Sequence, residues 1–274
     1  MSVHSEVKRR TVPELMAYKG QKKIACLTAY SAPIARLIDP ALDLILVGDS
    51  TAMVGYGARD TLSITLQQMA DHGAAVVNST QQSCVIIDMP FASYEVSPAQ
   101  AFENAAFLLA RSGATGVKLE GGVALAETTR FLVERGIPVL AHVGLMPQYV
   151  NTMGGFKAQG MSDETAEIIV ADAKAHQEAG AFAVVLEGVA EAVGRRITEE
   201  LHIPTIGIGA SPACDGQVLV TEDILGLSGG RIPRFAKNFG DAGAVIAQAA
   251  QQYADEVRQG SFPTLDQCFG VKRK

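Results

Sequence analysis

The feature that most restricts the fold of this chain is a short apolar run followed by a helical stretch, repeated many times. The runs are Ile24 to Thr28, Leu44 to Val47, Val85 to Ile87, Gly116 to Leu119, Val139 to Ala141, Ala183 to Leu186 and Thr205 to Ile208, with an eighth candidate at Gln217 to Val220. They are short and rich in β-branched residues, and they do not alternate apolar with polar. Parallel strands covered on both faces have this character.

The helices between them have readable ends. Ser97-Pro98-Ala99-Gln100 joins an N-cap serine, a proline at the first helical position and a capping-box glutamine. Ala99, Phe102, Ala105, Ala106 and Leu109 then recur at helical spacing, and Gly113 supplies the stop. A second helix is expected from Ser162, with Asp163 and Glu164 in its first turn, to Gly180. A third ends at Gly136, and Pro138 opens the next strand.

Strands alternating with helices specify a parallel sheet, and about eight such units favour a closed (β/α)8 TIM barrel over an open sheet. A nucleotide-binding sheet lacks its usual signature: no G-x-G-x-x-G follows the first strand, no phosphate-binding G-x-x-x-x-G-K-[ST] occurs, and Gly207-x-Gly209 reads as a tight turn. No linker or low-complexity segment divides the chain. The expectation is one α/β domain over residues 1–274, with an extra helix near Val12 to Tyr18 and a C-terminal helical tail.

Composition narrows the partners. Hydrophobic residues make up 48% and charged residues 19%, enough for a large core. The net charge of −6 argues against nucleic acid. Cys26, Cys84, Cys214 and Cys268 are far apart without a C-x-x-C, so neither a disulfide framework nor structural zinc is expected. No apolar segment follows Lys8-Arg9-Arg10, and no run of about 18 apolar residues exists. The reading is a cytoplasmic protein without a leader or a membrane span.

Five strands run into an ionisable residue at the same relative position: Asp49, Asp88, Glu120, His142 and Glu187. In a parallel barrel these carboxyl ends share the face on which barrel active sites are built. Lys118 and Glu120 are two apart and therefore point the same way. Like charges within about 4–6 Å raise one another's pKa unless a cation intervenes. An all-oxygen donor set suits Mg2+, with Asp49 and Asp88 as first ligands and Glu120 as a third or as the holder of a bound water. His142 has no second His or Cys beside it, which disfavours zinc. Each residue alone has a structural alternative: Asp49 as a helix N-cap, Asp88 as a turn starter, Lys118 as an ion-pair partner of Glu120, His142 as a satisfied core histidine, Glu187 as a turn residue. Their coincidence at successive strand ends favours a site.

The wording of these strand ends is similar to one known family. Thr28-Ala29-Tyr30, Val47-Gly48-Asp49-Ser50, Asp88-Met89-Pro90-Phe91, Val117-Lys118-Leu119-Glu120-Gly121-Gly122 and His142-Val143-Gly144-Leu145 resemble ketopantoate hydroxymethyltransferase. So do Gly154 to Gly160, Gly207-Ile208-Gly209-Ala210 with Asp215-Gly216-Gln217, and Phe235-Ala236-Lys237-Asn238-Phe239, in register from about residue 11 to 260. The resemblance implies an enzyme of pantothenate biosynthesis that transfers a one-carbon unit from 5,10-methylenetetrahydrofolate to the oxoacid 3-methyl-2-oxobutanoate, giving 2-dehydropantoate. It further implies a cytoplasmic homodecamer with one Mg2+ per subunit.

By that resemblance Asp49 and Asp88 hold the metal and Glu120 supports it. Asp49, Ser50, Asp88, Lys118 and His142 make up the substrate-binding set, and Glu187 is the base at C3. An unperturbed Glu near about 4.3 is a weak base, so Glu187 is expected in a partly apolar pocket that raises it. The chain departs from the family at Ser31, where an Asp is usual, at Ser211-Pro212-Ala213-Cys214 before Asp215, and at Gly188-Val189-Ala190. Two rival readings are an isocitrate-lyase or phosphoenolpyruvate-mutase type of enzyme and an inactive barrel used for binding. The first usually carries Asp-x-Asp-x-Gly where this chain has Asp88-Met89-Pro90, and its lyases a Lys-Lys-Cys-Gly-His run that is absent here.

Overall fold

The computed structural model describes residues 8–229 and 232–270, so part of the segment read as carrying no leader lies outside the described residues. The chain divides into two compact units, residues 1–221 and 222–274. Eight parallel strands close a barrel in sequence order within the first: β1 Ile24–Thr28, β2 Leu44–Val47, β3 Cys84–Asp88, β4 Gly116–Glu120, β5 Val139–Gly144, β6 Ala183–Glu187, β7 Thr205–Ile208 and β8 Gly216–Leu219. The closing pair is β1 with β8, Ile24 opposite Gly216. Helices α1 Val12–Met16, α2 Ala32–Ile38, α3 Thr51–Val54, α4 Leu66–Val77, α5 Pro98–Ser112 and α6 Ala126–Glu134 precede or join the first five strands. Helices α7 Val150–Met153, α8 Asp163–Glu178 and α9 Glu191–Glu200 join the rest, and α10 Thr221–Ile224 follows β8.

Alternation along each strand sorts side chains into two buried sets. Ile24, Cys26, Leu44, Leu46, Cys84, Ile86, Leu140, Val185, Ile206 and Ile208 form one cluster, the barrel interior. Their neighbours, such as Ile45, Val47, Val85, Ile87, Val117 and Leu119, pack outward against helix residues including Met69, Ala105 and Leu108. Leu15 of α1 is 1% exposed and belongs to the interior cluster. Arg10 donates to the Gln82 carbonyl just before β3, and Lys19 pairs with Asp215 just before β8, so α1 stoppers the end of the barrel where strands begin.

The expected helix ends are present, with one correction. Ser97 caps α5 by accepting the Gln100 N–H at 3.2 Å. The Gln100 side chain does not close a capping box: it accepts from Val96 N–H at 3.1 Å and donates to the Ala92 carbonyl at 3.1 Å. It holds the preceding turn, where Ala92 has a φ of +67°, instead of its own cap. Ser162 caps helix α8, and Gly180 follows the helix with a φ of +93°. Several strands run further than their apolar cores, because neighbouring ladders extend through the polar ends: Asp88 pairs with Lys118, Glu120 with His142, and Glu187 with Gly144.

In the second unit α11 Ala242–Gln259 is capped by Asp241, whose side chain accepts the Ala244 N–H at 2.9 Å, and ends at Gly260 with a φ of +71°. It buries none of its residues, and Tyr253 meets Phe262 edge-on.

Candidate active site

The strand ends bring together the residues singled out by the sequence. Asp88, Glu120 and Glu187 are the last residues of β3, β4 and β6. Asp88 lies two residues beyond Ile86 and Glu187 two beyond Val185, so alternation continues the interior face into the mouth. His142 lies inside β5, two beyond Leu140, and Asp49 stands two residues past β2. Asp49 does not cap α3: Ser50 holds the N-cap position, without a side-chain cap bond.

One buried lysine sits among these acids. Lys118 Nζ is 3.4 Å from Asp88 Oδ2 and 3.5 Å from Glu120 Oε1, and it donates to His142 Nδ1 at 3.1 Å. His142 Nε2 must therefore carry the ring proton, which it donates to the Leu145 carbonyl at 2.9 Å. Burial and the adjacent Lys118 charge hold His142 well below its ordinary pKa, so the ring is neutral. Its Nε2 is also 3.4 Å from Glu187 Oε2. Ser50 Oγ hydrogen-bonds the Tyr30 hydroxyl at 2.8 Å.

The carboxyls are strongly perturbed. Burial raises Asp88 to about 7 and Glu187 to about 8, and pushes Asp49 up and Glu120 well up. Burial is the largest cause at all four, and neighbouring carboxylates add to it at Asp88, Glu120 and Glu187. Burial disfavours the Lys118 charge, but Asp88, Glu120 and Asp49 outweigh it and hold the ammonium firmly protonated. Glu187 differs from the other three in reach: its side chain keeps 16% exposure, against 3% for Asp88 and 1% for Glu120.

Two residues central to this geometry carried no sequence signal. Gln148, in a 3-10 turn Pro147–Tyr149 after β5, donates through Nε2 to Asp49 Oδ2 and to the Met89 carbonyl, both at 2.9 Å. Its main-chain N–H donates to Glu120 Oε2 at 3.0 Å. Tyr94, between β3 and α5, donates its hydroxyl proton to Gln148 Oε1 at 2.6 Å and accepts the Glu120 N–H at 3.1 Å. Both come from loops, where side-chain periodicity gives no direction.

The arrangement fits a hard divalent cation. Asp88 Oδ2 accepts the Asp49 N–H at 3.0 Å, while Asp88 Oδ1 is buried with no hydrogen-bond partner. A buried carboxylate oxygen without a donor, beside a second buried carboxylate, is a costly arrangement that a cation relieves. Among the described residues no three His, Cys, Asp or Glu side chains form a ready cage. Two carboxylates completed by water suit Mg2+ better than an ion that needs a full protein shell.

The departures at Ser31 and Ser211 to Cys214 lie off this cluster, whereas Gly188-Val189-Ala190 directly follows Glu187. Ser31 is the N-cap of α2, and Ser211 Oγ bonds Glu191. Asp215 takes Lys19, the Gly20 N–H and the Thr205 N–H at the stoppered end.

Comparison with known proteins finds relatives along the whole chain. A 3-methyl-2-oxobutanoate hydroxymethyltransferase of Bordetella petrii is 58% identical over 274 residues, covering 100% of both chains. A second, from Burkholderia lata, is 57% identical over 270 residues, covering 98% of this chain and 95% of that one. Among solved structures, 2,3-dimethylmalate lyase, a member of the PEP mutase/isocitrate lyase superfamily, superposes with a TM-score of 0.59 over 94% of this chain and 91% of its own. At 18% identity that likeness speaks for the barrel alone. The ketopantoate hydroxymethyltransferase family profile matches residues 9–265, and the chain belongs to that family.

Proposed function

We propose that this chain transfers a one-carbon unit from 5,10-methylenetetrahydrofolate to 3-methyl-2-oxobutanoate, giving 2-dehydropantoate in pantothenate biosynthesis. Family membership and the curated relatives' name support the reaction. The observation that carries the mechanism is the Glu187 carboxyl, raised by burial to about 8 and still reachable from the mouth.

Forming a carbon–carbon bond at C3 of the oxoacid requires removing a proton next to a ketone. Glu187 is the general base for that proton, its raised pKa matching it to a weakly acidic C–H. Neutral His142 is a polar wall: its Nε2–H faces Leu145 and the Glu187 carboxylate, and it takes up no proton itself. Lys118 meets the negative charge that develops on the substrate oxygens, fixed in place by Asp88, Glu120 and His142. Ser50, held by Tyr30, is a further substrate contact. Asp49 and Asp88 hold one Mg2+ per subunit, with Glu120 in support. Such an ion would supply Lewis-acid polarisation of the keto oxygen.

The cytoplasmic homodecamer implied by the family likeness is part of the same reading. An exposed apolar row on α11, Val245, Ile246, Tyr253 and Val257, supports assembly with further copies. No helix among the described residues is long and apolar enough to cross a membrane.

The test is exchange of the substrate C3 hydrogen in deuterium oxide. Glu187→Gln should abolish exchange while 3-methyl-2-oxobutanoate still binds. Exchange at the wild-type rate would move the base elsewhere.

A further inference from the structure

The main-chain N–H of Gln148 and both polar atoms of its side chain are committed, and the commitments form a ring. Its N–H holds Glu120 Oε2, its Nε2 holds Asp49 Oδ2 and the Met89 carbonyl, and its Oε1 takes the Tyr94 proton. Tyr94 returns to the start by accepting the Glu120 N–H. Gln148 is 3% exposed and Tyr94 is fully buried, so water does not substitute for these bonds.

The ring has a direction. A glutamine amide offers donors at one end and an acceptor at the other, and the two ends have nearly the same shape. Turned around, the amide would aim lone pairs at the Asp49 carboxylate. The Tyr94 hydroxyl opposes that turn: its oxygen lies 2.6 Å from Gln148 Oε1, and its alternative acceptor, the Glu120 carbonyl, is further away at 3.2 Å.

We propose that Gln148 is a positioning residue for the cation site, taking one oxygen each from Asp49 and Glu120 and thereby fixing where their remaining oxygens point. Tyr94 acts through Gln148, by setting which end of the amide faces Asp49. The inference rests on Asp49 being a cation ligand, as read above. Groups that orient metal ligands in this way change metal affinity by about 10–100-fold when they are lost.

The experiment is calorimetric titration of Mg2+ into the cation-free full chain, for wild type, Gln148→Met, Tyr94→Phe and the double variant. Each single variant should weaken binding by about 10–100-fold. The double variant should bind no more weakly than Gln148→Met alone, because Tyr94 reaches the carboxylates only through the amide, its other bonds being to the Glu120 main chain. Turnover by Tyr94→Phe should recover at high Mg2+, which a general loss of structure does not allow. Unchanged affinity in Gln148→Met overturns the proposal, and additive losses in the double variant overturn the part assigned to Tyr94. If Gln148→Met fails to fold by circular dichroism, Tyr94→Phe decides alone, and unchanged affinity there overturns it. A wild-type chain that takes up no Mg2+ removes the cation reading itself, and this inference with it, before any variant is compared.

Discussion

Asp88→Asn tests whether the mouth stores electrostatic strain that a cation relieves. The substitution preserves shape and an acceptor for the Asp49 N–H, and removes one buried charge. Burial carries Asp88 from an ordinary 3.8 to about 7, so between these values the folded chain keeps a proton that the unfolded chain has lost. The sign follows: stability falls as pH rises through this window and levels off above it. Relative to the protonated form, the ionised group costs on the order of 4 kcal/mol at about pH 8, and about half of that accumulates between pH ~5.5 and pH ~8.

An asparagine does not titrate, and the other carboxyls are common to both proteins. The variant should therefore lose about 2 kcal/mol less than wild type over that interval. For a chain of this size that is a difference of roughly 4–8 °C in how far Tm drops. The assay is thermal unfolding by circular dichroism in EDTA at the two pH values, repeated in Mg2+. The ion should restore wild-type stability at the higher pH and do little for the variant. Parallel Tm–pH curves in EDTA, or equal rescue of both proteins by Mg2+, would refute the reasoning.

Three further outcomes are expected. Turnover should disappear after exhaustive EDTA treatment and return with Mg2+; full activity in EDTA would remove the metal from the mechanism. Asp49→Ala combined with Asp88→Ala should abolish Mg2+ binding by calorimetry, and retained binding would place the ion elsewhere. Gly122→Ala should destabilise by about 1–3 kcal/mol, since an added Cβ runs into the Asp172 carboxylate that holds the Val123 N–H. Urea unfolding of Gly122→Ala in an Asp172→Ala background should show most of that loss gone; an undiminished loss would mean the strain has another source.

Alternation made much of the site legible. Once Ile86, Leu140 and Val185 are placed inside a barrel, Asp88, His142 and Glu187 follow two residues later, and the parallel ladder carries them to one end. Strand limits are harder to place, because apolar character stops before the hydrogen-bonded ladder does: Cys84, Asp88 and Glu120 belong to strands, although the apolar runs stop one residue short of each. Tyr94 and Gln148 were invisible for a different reason. Each reaches the acids through a turn whose path depends on tertiary packing, and neither Tyr nor Gln is marked by charge. Gln100 shows the same limit at a helix end, where a capping motif specified the residue types but the strained turn at Ala92 claimed the side chain.

The short helix beneath the barrel also has a bearing on catalysis. With Leu15 seated under the aliphatic layers, the interior is a cup with a floor, and the carboxyls line its rim. Substrate, product and the proton handled by Glu187, the proposed base, would then exchange at the strand-end mouth. A ligand seated in that mouth would shield all the acids from bulk water together.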